Sequence, residues 1–268
     1  EKKMAGFEDD EDADKIGYIR ISDFGATTAK ELNKALEKLE DKDVIGYVLD
    51  VRNNPGGYLT AAIDVADAFL DSGEIVSTRG KRPNDIERSF AAPGDLANGK
   101  PVVVLINHGS ASASEIVAGA LQDNGRALVM GSQSFGKGSV QQQKPLGDGT
   151  AIHITIARYY TPSGRSIQNE GITPDIEVLQ SKIEVLERRE SLYSEASFKN
   201  SLKNEEAEKK NKDKSDDDDK ELTDEEKDAL DYQLQRAMDM VRAMVKLQAH
   251  ADLIPATPES IAASESDE

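Results

Sequence analysis

The stretch VVVLINHGSASASEIVAGALQD, residues 102 to 123, places three patterns in succession. Val102 to Ile106 is an unbroken apolar run, as a strand covered on both faces should be. Asn107, His108 and Gly109 supply a tight turn, and from about Ser112 to Asp123 the apolar residues recur at helical spacing. A strand, turn and helix in this order build a sheet covered by helices, and they set the first helical residues at the carboxyl edge of the sheet, where α/β proteins place their sites. Ser112 occupies that position. It has two readings. Ser112-x-x-Glu115 is a capping box, so the serine can be a helix cap. A serine there can equally be a nucleophile, because the helix dipole and the free N–H groups of the first turn stabilise a developing oxyanion. Both can hold at once.

Outward from this unit, the same alternation runs from Ile16 to about Val178. IGYIRI (16–21) leads into a helix with Ala29, Leu32, Leu36 and Leu39 on one face. VIGYVLDV (44–51) reads as a second buried strand and precedes a helix bearing Leu59, Ala62, Ile63, Ala66, Phe69 and Leu70. EIVSTRG and DIERSFAA, joined through KRPN, predict a hairpin. ALVM (127–130) is a further strand, and SVQQQKPL and the alternating AIHITIAR (151–158) flank the turn LGDGT. The fold class expected is α/β, a mixed sheet with flanking helices, over a core at 16–180 that is long enough for a stable interior.

Beyond the core the composition changes. Between Glu205 and Lys227, 18 of 23 residues are charged, too polar to bury the surface that ordering requires. Residues 181–228 therefore read as a charged, largely disordered linker, and 1–15 as a flexible acidic N-terminus. Leu230, Leu234, Ala237, Val241 and Val245 predict an amphipathic helix over 229–250 that docks on the core or on a partner, including a second copy of the chain. Residues 251–268 read as tail. The net charge of −18 argues against binding nucleic acid or an anionic membrane through bulk electrostatics. With no cysteine there is no disulfide, thiol nucleophile or thiolate metal site. No run approaches the length of a membrane span, and the N-terminal residues lack the apolar core of a signal peptide.

GSQSFGKGS (131–139) imitates a phosphate-binding loop, but Gly138 stands where the Mg²⁺-binding Ser/Thr belongs, and a β-like stretch follows where a helix is needed. Ser134-Phe135-Gly136-Lys137 also spells the S-x-x-K of penicillin-recognising enzymes, without that family's other elements. The third reading pairs Lys137 with a serine elsewhere, and Ser112 is the candidate. A Ser–Lys dyad needs no histidine, but its lysine must be neutral to accept the serine proton, which asks for a site shielded from water. Gly131, Phe135, Gly136 and Gly138 suit such packing.

The segments Asn107–Ile116 (NHGSASASEI) and Gly136–Gln141 (GKGSVQ), with DVRNNPGGYL (50–59) and YYTPSGRSIQNEGITPDIEV (159–178), resemble the carboxyl-terminal processing (tail-specific) serine protease family. The resemblance spans Ile16 to Val178. It implies a crotonase-like core, endopeptidase activity near protein C-termini, no cofactor or metal, Ser112 as nucleophile, Lys137 as general base and Gln141 as the group orienting the lysine. It also implies an oxyanion hole made by the backbone N–H groups of Ala113 and of Gly57 or its neighbour Gly56. Read without it, NNPGG is a turn between strand and helix. Asp123 matches an acidic position of the family and is taken as supporting structure. Family members usually carry a secretion signal and a PDZ module, so the resemblance implies a periplasmic or other extracytoplasmic location, with possible membrane association, and a PDZ module in the full-length protein. Neither is found in this sequence, which leaves a second reading open, a peptide-binding or scaffold fragment that does not assemble a working site.

The rival mechanism is a Ser/His/Asp triad using His108 or His153. His153 lies on the strand face opposite Ile152, Ile154 and Ile156, and His250 falls in the tail helix. Metal chemistry has less support: Asp10, Asp12 and Asp14 imitate a calcium loop until Lys15 takes the place of the required glycine.

Overall fold

A computed structural model describes residues 15–181, apart from 83 and 148, and residues 231–251. The expectations for the N-terminus, the linker and the tail beyond residue 251 fall outside the described residues.

Among the described residues nine strands form two sheets. The first is parallel throughout, in the order β1 (Ile16–Arg20), β2 (Gly46–Asp50), β5 (Val102–Ile106), β6 (Leu128–Gly131), β9 (Ile176–Glu177). The mixture of directions expected from the sequence is thus divided between two sheets. The second sheet is antiparallel, in the order β4 (Ile86–Phe90), β3 (Glu74–Gly80), β8 (Ala151–Tyr160), β7 (Ser139–Pro145).

Every residue of β2 and β5 is buried, because the parallel sheet is covered twice. Successive side chains of a strand point to opposite faces, and the two faces meet different helices. Tyr47, Leu49, Val104 and Ile106 join α1 (Thr28–Glu40), α2 (Leu59–Asp67) and α3 (Ala113–Asp123) in the main core. Val48, Val103, Leu105 and Met130 face the C-terminal helix α4 (Tyr232–Ala251) through Leu234, Ala237, Met238 and Val241. Gly46 permits this approach, since a Cβ there would lie 2.6 Å from Val241 Cγ1. The apolar face of α4 offered by the sequence to the core or to a second copy therefore covers the chain's own sheet.

An ion-pair clamp fixes the start of α4. The Arg52 guanidinium, 6% exposed, donates from Nε and Nη2 to Asp50, from Nη1 and Nη2 to Asp231, and from Nη1 to Gln233 Oε1. All five of its N–H donors are thereby used. Burial works against the charge, but the two carboxylates outweigh it and raise the Arg52 pKa.

The outer half of the β7–β8 hairpin differs from expectation. Alternation predicts a half-buried strand, yet Ile152, Ile154 and Ile156 are 43–48% exposed. Only residues near the hairpin's base, such as Tyr159 and Val140, reach the core.

Candidate active site

Three segments meet at the carboxyl edge of the parallel sheet: the turn after β2, the turn between β5 and α3, and the loop after β6. The first two are joined side by side. Asn107 Oδ1 accepts the Asn53 N–H at 2.9 Å while its amide donates to Asn53 Oδ1 at 3.0 Å. Asn54 O accepts the Ala111 N–H and the Ser114 hydroxyl, both at 2.9 Å, and Ser110 Oγ donates to Val51 O at 2.8 Å. The Asn54 side chain is itself buried against Ile21 O.

Gly56 is where the two turns touch. A Cβ on it would stand 2.7 Å from Ala111 O, 2.9 Å from Ser112 Cβ and 3.0 Å from Ala113 N, and its φ of +103° disfavours any other residue. Its N–H is bound to Asn54 Oδ1 at 2.9 Å. The Gly57 N–H has no hydrogen-bond partner among the described residues, because Phe24 pairs with the groups on either side of it, Gly56 O and the Tyr58 N–H. Nor has the Ala113 N–H, the first of α3, which precedes the intrahelical bonds. Of the two glycines considered in the sequence, Gly57 is therefore the one with a donor to offer.

Ser112 stands before α3 with φ 56° and ψ −111°, a conformation that costs a non-glycine residue about 1–3 kcal/mol and persists only where its surroundings impose it. Glu115 is what imposes it. The α3 residues from Ala113 to Leu121 are all buried, so Glu115, 0% exposed, has no solvent to reach. Its Oε2 accepts the Ser112 N–H at 2.8 Å and the Lys137 N–H at 2.9 Å; Oε1 accepts the Gly136 N–H and the Ser134 hydroxyl, both at 2.6 Å. The helix-cap reading is thus half of the picture. The same carboxylate that caps Ser112 also holds the loop of Lys137, and the Ser112 and Lys137 nitrogens are no farther apart than the sum of their distances to the shared oxygen.

The lysine loop is pressed against residues 167–172. Ser134 Oγ accepts the Ile172 N–H at 2.7 Å, Asn169 N–H donates to Gly136 O at 2.9 Å, and Gly138 packs on the Gln168 backbone so closely that a Cβ would collide with it. Its backbone amides point inward, and past the buried Ser134 the Phe135 and Lys137 side chains turn outward: Phe135 is 67% exposed and Lys137 is exposed. This corrects the expectation of a lysine already shielded from water. Gln141 lies on β7, exposed, opposite Thr155 and just past a register shift. Among the described residues no hydrogen bond joins it to Lys137.

Asp123, at the far end of α3, accepts the Ser163 N–H at 3.0 Å and the Arg165 guanidinium at 2.5 Å. Burial raises its pKa, but bonds from Thr161 and Ser163 and the charge of Arg165 hold it below the usual value. That is the supporting role expected of it. His108 is exposed, and His153 is exposed out on the hairpin opposite Gln143. Among the described residues no His/Asp/Glu cluster could hold a metal ion, and no helix is long and apolar enough to cross a membrane.

Sequence reasoning missed the reach of Glu115 and the parts played by Ser134, Asn53 and Asn107. For Glu115 a signal existed: ASEIVAGAL has no polar face, so an acid within it must find its partners inside the protein.

Residues 15–178 match Peptidase family S41. The chain is 58% identical over 169 residues to a carboxy-terminal-processing protease of Bartonella bacilliformis, which covers 62% of this chain and 39% of that protein. It is 42% identical over 182 residues to a carboxy-terminal processing protease of Bacillus subtilis, with 67% and 36% covered. Among solved structures it is similar to a photosystem II D1 C-terminal processing protease, with a TM-score of 0.57 and 38% identity over 61% of this chain and 42% of that one. The chain spans about two fifths of the length of these relatives. Its crotonase-like core, with Ser112 at the carboxyl edge of the parallel sheet, belongs to the serine-type peptidases of family S41.

Proposed function

We propose that the chain is the catalytic core of a serine endopeptidase that cuts proteins near their C-termini with Ser112 as nucleophile and Lys137 as general base. The observation that carries this reading is the carboxylate of Glu115, which binds the backbone N–H groups of both residues, while Gly57 and Ala113 beside Ser112 keep unused N–H donors. In the first step Ser112 Oγ attacks the scissile carbonyl as its proton passes to a neutral Lys137 amine. The tetrahedral oxyanion is held by the Gly57 and Ala113 N–H groups, a contribution of about 3–4 kcal/mol for each donor in comparable sites. The protonated lysine then gives its proton to the leaving amine, and a water activated by the same amine releases the acyl group from the serine. Gln141 orients the lysine without adding a charge. Because Lys137 is exposed in the free chain, the bound peptide itself must exclude water from it.

Ser112→Ala and Lys137→Ala are each expected to abolish casein cleavage with an unchanged circular dichroism spectrum, and a fluorophosphonate probe is expected to label Ser112. Full activity in Lys137→Ala together with its loss in His153→Ala would replace the dyad with a triad. A folded chain that is not labelled at Ser112 would favour a scaffold fragment, which the exposure of Lys137 makes a definite alternative. The PDZ module and the extracytoplasmic location are extended to the full-length protein on the same grounds of kinship.

A further inference from the structure

The antiparallel sheet carries a pair of cations that no acid among the described residues meets. Arg79 on β3 stands directly opposite Arg158 on β8, and like charges in that relation destabilise a sheet unless an anion joins them. Among the described residues neither guanidinium has an ion pair or a hydrogen bond. Arg79 Nε is buried without a partner, an omission that native structures rarely leave unexplained. This is a chain of net charge −18 in which Arg52, Arg88, Arg126 and Arg165 each hold a carboxylate. Asp85, whose backbone pairs with Gly80, turns its own carboxylate to the Arg82 N–H. The unmet pair is therefore a local arrangement and not a consequence of scarce acids.

The pair is also well placed. The Arg79 guanidinium lies 4.0 Å from the centroid of the Tyr160 ring, a cation–π contact that restrains it beside Arg158. Arg79, Lys81, Ile156, Arg158 and Tyr160 line a groove of about 300 Å³. Arg158 stands opposite Ser139 on β7, and the neighbouring Tyr159 N–H donates to Gly138 O at 2.7 Å. Arg158 thus lies across the hairpin from a residue two positions along the chain from Lys137.

We infer that Arg79 and Arg158 form a carboxylate-binding subsite, which takes an acidic side chain or the terminal carboxylate of a peptide engaged at Ser112. The inference rests on the peptidase reading for its substrate, and on the unpartnered arginine pair for its chemistry. Guanidinium groups match carboxylates with paired, charge-assisted hydrogen bonds, and the apolar wall from Ile156 adds contact for the rest of the ligand.

The test uses the Ser112→Ala chain, which cannot turn over, and a fluorescent, unstructured decapeptide in three forms: free acid, C-terminal amide, and amide with glutamate as its last residue. Anisotropy is expected to show the free acid or the glutamate form bound about tenfold more tightly than the plain amide, and which of the two is preferred identifies the source of the carboxylate. Adding Arg158→Gln should bring that ratio toward one, while Arg158→Lys should keep part of it. Equal binding of all three forms, or a ratio that Arg158→Gln leaves unchanged, would overturn the subsite. The same peptides given to the unsubstituted chain keep the two readings apart: failure to cleave any of them counts against the peptidase, while the binding ratio still decides the subsite.

Discussion

The Oε2 atom of Glu115 lies 2.9 Å from the backbone nitrogen of Lys137, and this bond crosses from the helix that begins beside Ser112 to the loop that carries the lysine. With the bonds from Ser112, Gly136 and Ser134 it gives one buried carboxylate four donors and, among the described residues, no cation. Glu115→Gln keeps the shape but replaces one acceptor by an NH₂ group, and every direction around the carboxylate is already occupied by a donor. One side must then face N–H against N–H. A loss of roughly 2–4 kcal/mol in urea unfolding is expected, at about 1–3 kcal/mol for each unsatisfied buried group, with slower fluorophosphonate labelling of Ser112. Unchanged stability and unchanged labelling would show that the two loops hold their relation without Glu115.

Gly56 is expected to be equally intolerant, for steric reasons. A methyl group there meets Ala111 O at 2.7 Å and Ser112 Cβ at 2.9 Å, on a backbone whose φ of +103° already disfavours it. Gly56→Ala must therefore push the Gly57 N–H away from the serine, where it is proposed to meet the oxyanion. The expected result is a kcat reduced by about 10²-fold or more with KM little altered, in a chain that still folds. A variant whose KM rises while kcat holds would place Gly57 in substrate binding instead.

How far the sequence discloses this site depends on whether an interaction is local. The apolar run Val102–Ile106 and the helical spacing after Ser112 are local patterns, and they become β5 and α3 within a residue or two. The apolar face of α4 is equally visible, since Leu234, Ala237 and Val241 repeat at helical spacing. What they cover is not visible, because that follows from the other face of β2 and β5, whose continuous apolar runs show only that both faces are buried. The outward turn of Lys137 could not be read either: it results from Ile172, Ser110 and Glu115 capturing the amides of residues 134–137. The Arg52–Asp231 pair spans 179 residues and has no signature in either neighbourhood. The short β9 pairs only Ile176 and Glu177 with β6, too brief for alternation to register.

That long-range pair makes the last prediction. Asp231 holds two N–H groups of Arg52 and the Leu234 N–H, and the residue after Arg52 opens the turn that ends at Gly57. Asp231→Ala leaves the buried guanidinium with three of its five hydrogen bonds and one carboxylate, which is expected to cost about 3 kcal/mol, the lower end of the range for broken buried pairs because the Asp231 side chain is 23% exposed. Hydrogen exchange should rise both in α4 and at residues 53–58, since the clamp joins the two. Acid should reproduce part of this effect. Burial acts to raise the Asp231 pKa, but hydrogen bonds and charge from Arg52 prevail and hold it below the usual carboxylate value. A carboxyl with a lowered folded pKa contributes stability that is fully present above its unfolded pKa and disappears as pH falls through the folded one. The stability difference between the native chain and Asp231→Asn, measured by urea unfolding, should therefore be constant from pH 7 to 5 and shrink only below about pH 4, near the ordinary aspartate value. A difference that instead vanished between pH 7 and 5 would mean that Asp231 is not held as an anion by Arg52, and that the hydrophobic contacts of Leu234, Ala237 and Val241 anchor the helix alone.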